Sequence, residues 1–133
     1  MVYQYPVTIK EHHLDSYGHV NNAAYLELYE EARWEAVTQG GYGYNTIHET
    51  GLGPIILEVN LKFLKELKLR EKITITLETI SYEGKICKLK QQMIKENKEI
   101  ASEGQFTIAF FDLKNRKLIL PNAEWLRALG IKS

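Results

Sequence analysis

Between His13 and Glu35 the chain reads HLDSYGHVNNAAYLELYEEARWE. An acid (Asp15), two imidazoles (His13 and His19), a glycine (Gly18) and two adjacent amides (Asn21 and Asn22) stand immediately before what composition marks as a helix. A carboxylate beside the unbonded N–H groups of a helix start is a combination suited to acyl transfer. The backbone donors polarise a carbonyl, and the carboxylate activates water as a general base or attacks the carbonyl itself. Plainer uses exist for the same residues. Asn at a helix start caps free N–H groups, and Asp bonds the nearby backbone of a turn. Gly18 permits a tight turn or the close approach of a ligand. His19 either orients a catalytic group or bonds within the loop. Composition alone leaves both sets of roles open.

Other chemistries fit less well. His12 and His13 are neighbours on an extended segment and point to opposite faces, so with Asp15 and His19 they make no metal set. No zinc-type spacing and no paired cysteines occur. Cys87 lies in an alternating strand, where it reads as a small core residue and not as a nucleophile. A Gly-x-Ser-x-Gly turn is missing, which removes the serine hydrolases built on it.

The elements that must position these residues follow from periodicity. Tyr3 to Glu11 alternates, with Tyr3, Tyr5, Val7 and Ile9 on one face of a half-buried strand. A long helix is predicted from about Asn22 to Gln39, rich in Ala, Leu and Glu and stopped by Gly40-Gly41. Tyr25, Leu28, Tyr29, Ala32 and Ala36 form its apolar stripe, and Glu27, Glu31 and Glu35 lie opposite. A loop containing Gly43, Gly51, Gly53 and Pro54 comes next. Alternation of period two then returns. Ile55, Leu57, Val59, Leu61 and Phe63 are predicted to share a face against Glu58, Asn60 and Lys62. Three further runs contain Ile73, Ile75 and Leu77, then Cys87, Leu89 and Met93, then Phe106, Ile108 and Phe110. Glu83-Gly84 and Asn97-Lys98 read as hairpin turns between them. A short helix from Ala123 to Leu129 ends the pattern. The sum is an α+β fold, a long helix wrapped by a curved antiparallel sheet of about five strands. One helix cannot cover such a sheet, so self-association is expected.

The chain has 133 residues, of which 44% are hydrophobic and 26% charged, enough for one domain with its own core spanning residues 1–133. Seventeen basic residues balance seventeen acidic ones, which gives no electrostatic case for nucleic acid. No window is long and apolar enough for membrane insertion, and the N-terminus lacks a signal-peptide core. With a single cysteine, the expected compartment is the reducing cytoplasm.

The run DSYGHVNNAAYLELYEEARW resembles the signature of hotdog-fold acyl-CoA thioesterases of the 4-hydroxybenzoyl-CoA thioesterase class. Its Gly-His-Val-Asn-Asn form is most similar to the long-chain acyl-CoA branch and the related acyl-carrier-protein thioesterases. The motif match covers His13 to Trp34, and NLKFLKELKLREKITI resembles the second and third strands of that family. The resemblance implies hydrolysis of an acyl thioester, on CoA or on an acyl carrier protein, with no cofactor beyond the CoA of the substrate. Asp15 falls where the family's general base or nucleophile stands, and the backbone at Asn22 where it polarises the carbonyl. His19 and Asn21 match positions that order the active-site loop, with Gly18 between substrate and backbone. Glu30 and Arg33 match a Glu-x-Ala-Arg pair, which as an i, i+3 pair makes either a structural salt bridge or part of the chemistry. Tyr25, Leu28 and Tyr29 would line the acyl pocket or form plain core. Lys62, Lys65 and Arg70 would hold the CoA phosphates. A homodimer, or a dimer of dimers, with sites at the subunit interface is also implied. Two other functions share the fold: a non-catalytic acyl-CoA sensor, and a dehydratase or hydratase acting on the acyl chain.

Overall fold

The computed structural model describes residues 2–131. Strand β1 (Val2–Thr8) leads through a 3-10 turn (Glu11–His13) and a loop into helix α1 (Asn22–Gln39). A short helix α2 (Tyr44–Thr50) follows, then four long strands: β2 (Leu52–Phe63), β3 (Lys72–Glu83), β4 (Ile86–Lys95) and β5 (Ile100–Asp112). A short β6 (Lys117–Ile119) and helix α3 (Ala123–Ala128) complete the described chain. All pairings are antiparallel, in the order β1-β3-β4-β5-β2, with β6 on the end of β5.

Helix α1 reaches both edges of this sheet. Tyr5 on β1 donates its hydroxyl to Glu31 Oε2 at 2.7 Å, and Phe63 on β2 packs edge-on against Tyr25 with ring centroids 4.9 Å apart. In between, Gln91 of β4 donates to the Tyr29 carbonyl at 3.2 Å, and the Tyr29 hydroxyl donates to Ser102 Oγ of β5 at 2.8 Å. Five flat strands span roughly 19 Å across, whereas a helix with its side chains is only about 10–12 Å wide. One helix touches both edges because the sheet curls around it. The predicted stripe is the buried one: Tyr25, Leu28, Tyr29, Ala32 and Ala36 are all buried, while Glu27, Glu31 and Glu35 are exposed. Cys87 is wholly buried, and desolvation pushes its thiol up to about 12, in keeping with a core role.

Three expectations need correcting. Strand β1 stops at Thr8, short of Glu11, because the chain turns there and the Lys10 N–H bonds to the His13 ring. The segment after Gly43 is a helix and not a loop; seven residues are too few for a helical period to register, and Gly51 ends it at φ +71°. On β2 a bulge between Ile56 and Glu58 breaks the alternation. An extra residue reverses which side chains face inward. Pro54 and Ile56 therefore join Leu61 and Phe63 on the helix side, while Glu58 and Asn60 stay outside. Among the described residues β2 pairs with β5 alone, and Ile56, Leu57, Val59 and Phe63 are 39–53% exposed.

Candidate active site

The loop before α1 is held by Asp15. Its Oδ1 accepts the Tyr17 N–H at 2.9 Å and the His19 N–H at 3.2 Å. Its backbone is tied into the same turn, the Asp15 N–H donating to the His19 carbonyl at 2.8 Å and the Gly18 N–H to the Asp15 carbonyl at 3.1 Å. A turn this tight needs the φ of +81° that Gly18 supplies, which an L-residue adopts only with strain. Asp15 thus caps its own turn, but with one oxygen only. The other carboxylate oxygen has no partner among the described residues, and the side chain is exposed.

Asn21 is the N-cap of α1, its Oδ1 accepting from Ala23 N–H at a long 3.4 Å. Its own N–H donates to the His13 carbonyl at 2.9 Å, and the Leu14–Val20 bridge closes the loop at its base. Asn22 is the first helical residue, so its N–H has no acceptor within the helix, and it finds none elsewhere among the described residues. The 18-residue helix thus begins with a free donor at its positive end, and the closed loop that leads into it carries a free carboxylate oxygen.

Two histidines anchor this arrangement. His13 is buried, and its Nδ1 accepts the Lys10 N–H at 2.9 Å. Burial, reinforced by the neighbouring His12, lowers its pKa and keeps the ring neutral and able to accept. His19 points the other way, its Nε2 3.0 Å from Glu66 Oε1 on the β2–β3 connection. The two residues flank a cleft of about 310 Å³ whose walls include Val20, Tyr25, Phe63 and Lys65.

This geometry can be set beside known proteins. Residues 9–129 match the model of the thioesterase-like superfamily. The chain belongs to that superfamily. Among its relatives is the long-chain acyl-CoA thioesterase FadM of Escherichia coli K12, 29% identical over 123 residues that cover 91% of this chain and 92% of FadM. The crystal structure of YbaW, a probable thioesterase from Escherichia coli, superposes with a TM-score of 0.83 at 28% identity, covering 95% of each chain. Protein SAV2348 from Staphylococcus aureus, solved in complex with CoA, has the same fold at a TM-score of 0.90, with 18% identity over 98% of this chain and 82% of its own. The curled sheet around α1 is the hotdog fold.

The remaining residues expected to serve a thioesterase site are scattered. Tyr25 borders the cleft, but Leu28 and Tyr29 sit in the core at 2% and 0% exposure, with Tyr29 bonded to Ser102 and stacked edge-on against Phe106. Lys65 borders the cleft and pairs with Glu99 at 3.5 Å. Lys62 is an exposed residue of β2, and Arg70 is engaged by both carboxylate oxygens of Glu11 at 2.7 and 2.8 Å. Glu30 and Arg33 form no ion pair. Arg33 turns inward, its Nη1 donating to Gln91 Oε1 at 3.0 Å and its guanidinium lying 4.4 Å from the centre of the Phe106 ring. Sequence reasoning missed Glu66 and Gln91. Each reaches its partner across more than 45 residues of chain, and neither carries a local signal.

Proposed function

We propose that the protein hydrolyses acyl-CoA thioesters with Asp15 as the base, in a site completed by a second copy of the chain. The observation that carries this is the division of labour within Asp15: one oxygen fixes the loop and the other is left free in the loop that leads to the unbonded Asn22 N–H. A thioester carbonyl seated on that N–H is polarised toward an oxyanion. Water attacks its carbon while Asp15 takes the water's proton, and the tetrahedral intermediate collapses to release CoA thiolate. The proton passes to that sulfur, so one water and one thioester give one acid and one thiol. Attack by Asp15 itself, through a mixed anhydride that water then opens, reaches the same products.

CoA is the favoured carrier, in keeping with the relative named for long-chain acyl-CoA and the neighbour solved with CoA. Lys65 at the rim of the cleft is the best placed of the three candidate phosphate ligands. No group beyond the substrate is needed for these steps, and the lone buried cysteine suits a reducing cytoplasm.

Strand β2 supports the second copy. Its free edge and exposed Ile56, Val59 and Phe63 form the surface that an antiparallel twin strand would cover. Pairing about the middle of Leu52–Phe63 sets Phe63 of one protomer opposite Leu52 of its partner. The His19–Glu66 cleft of one copy then adjoins the partner wall formed by Pro54 and Ile56.

The test is free-thiol release from short, long and aromatic acyl-CoAs and from an acyl carrier protein thioester, with Asp15→Asn in parallel. Release that tracks one acyl class and vanishes in the variant is the expected result. Equal release by both proteins refutes the role of Asp15. Tight binding without release points to a sensor, and a new double bond without thiol to a dehydratase.

A further inference from the structure

We propose that the cavity beneath the second half of α1 binds a carboxylate on a small apolar body, with Arg33 as the group that receives the carboxylate. Glu30, Arg33 and Val37 project from one face of α1 over Leu89 and Ile108, and Trp125 of α3 closes the end. About 130 Å³ is open to water-sized molecules there. An engineered apolar cavity of about 150 Å³ accepts benzene, so a single ring or a short alkyl chain fits.

Arg33 is what makes this more than a packing gap. It is the only cation lining the cavity, and no carboxylate stands within ion-pair distance of it among the described residues. Its guanidinium is fixed on both sides, by Phe106 beneath it and by Gln91. Gln91 is itself fully buried, and its amide nitrogen is committed to the Tyr29 carbonyl. One of the five guanidinium N–H donors is thereby satisfied, which leaves a fork able to grip a carboxylate with two parallel bonds. Desolvation pulls the Arg33 pKa down to about 10, so the group stays charged at neutral pH while bearing the cost of burial. A Leu and a Met in place of Arg33 and Gln91 would fill the same helix–sheet contact without that cost.

Glu30 opposes binding at the rim. It is exposed and lies beyond ion-pair distance from Arg33, so it repels an anion until the carboxylate has passed it. Two sources offer the same chemistry: a free acid, such as the product of the proposed hydrolysis, or the far carboxyl of a dicarboxylic acyl group. The second rests on the hydrolysis reading, and the first stands without it.

Calorimetric titration of the unmodified protein with hexanoate and with hexanamide tests the site without reference to turnover. Hexanoate should bind at least about tenfold tighter, the discrimination a charge-assisted bond gives. Arg33→Met should remove that difference, and Glu30→Gln should tighten hexanoate a few-fold. Equal affinity for acid and amide, or no binding of hexanoate to the unmodified protein, overturns the proposal; neither result needs a variant that folds. Thiol release from hexanoyl-CoA and from the six-carbon ω-carboxyacyl-CoA then separates the sources. A gain of about tenfold in kcat/KM for the ω-carboxyl substrate, lost in Arg33→Met, assigns the site to the acyl tail. Hexanoate binding without that gain assigns it to free acid. If no substrate releases thiol, the titration still stands, so failure of the hydrolysis reading is told apart from failure of this one.

Discussion

Asp15→Asn and Asp15→Ala should part company, because the two oxygens of Asp15 do different things. The Asn variant keeps a carbonyl oxygen for the Tyr17 and His19 N–H groups and places an amide where the free oxygen was. The loop stays closed and only the proposed base is lost. General-base assistance is worth about 10²- to 10⁴-fold, so kcat should fall by that factor, roughly 3–5 kcal/mol in the barrier. Stability should not change. The Ala variant loses the base and both loop bonds. Each such bond contributes about 0.5–1.5 kcal/mol, and less where water replaces it, so a total near 1–2 kcal/mol is expected. In a chain of this size that lowers Tm by roughly 3–8 °C. The assay pairs thiol release with thermal melting followed by circular dichroism on the same samples. An Asn variant with more than a tenth of the original kcat refutes the base. Equal melting of both variants refutes the split between the oxygens.

Glu66→Gln should weaken the His19 anchor that spans the cleft at 3.0 Å. For an exposed hydrogen bond worth about 0.5–1 kcal/mol this means a twofold to fivefold fall in kcat; kcat unchanged in the variant counts against the anchor. His13 has a pKa below 6.5 in the folded chain, so the unfolded chain binds more protons in that window, and stability should fall as pH drops from 6.5 to the folded value. His13→Asn, which keeps an acceptor but not the titration, should flatten that part of a Tm-against-pH curve. If each site joins Asp15 of one protomer to the β2 wall of the other, mixing Asp15→Asn with a blocked-wall Ile56→Arg protein should restore about a quarter of full activity. Half of the randomly formed dimers are then mixed, and one of the two sites in each is intact. A site made within one chain regains nothing.

The helix was legible to the residue because its signals are local: Asn at the start, an unbroken apolar stripe, glycines at the end. The hairpins were legible for the same reason, with Gly84 and Lys98 at positive φ in the predicted turns. The face of β2 was not, because a bulge is an event between two strands and Leu57 looks like any other alternating residue. The fate of Arg33 was hidden by proximity. Glu30 is its helical neighbour at i−3, yet the guanidinium goes to Gln91, which is 58 residues away, and to the Phe106 ring. At the site itself, the sequence presented Asp15 as a choice between turn cap and base. The conflict disappears once each oxygen is considered separately, since the cap uses only one.

One feature of the lone chain favours the two-chain site on physical grounds. Asp15, His19 and Asn22 are all exposed, and so is the β2 surface flanking their cleft. A carboxylate and an N–H donor act on a carbonyl far more strongly where water is excluded than where it competes for both. The loop bonds that hold Asp15 leave it at the surface of the lone chain. In the proposed dimer the second copy displaces that water. An antiparallel copy of β2 brings apolar side chains to the mouth of the cleft and at the same time satisfies an unpaired strand edge. The contact that stabilises the pair is then the one that dries the site, and activity should fall on dilution with the fraction of protein that is dimeric.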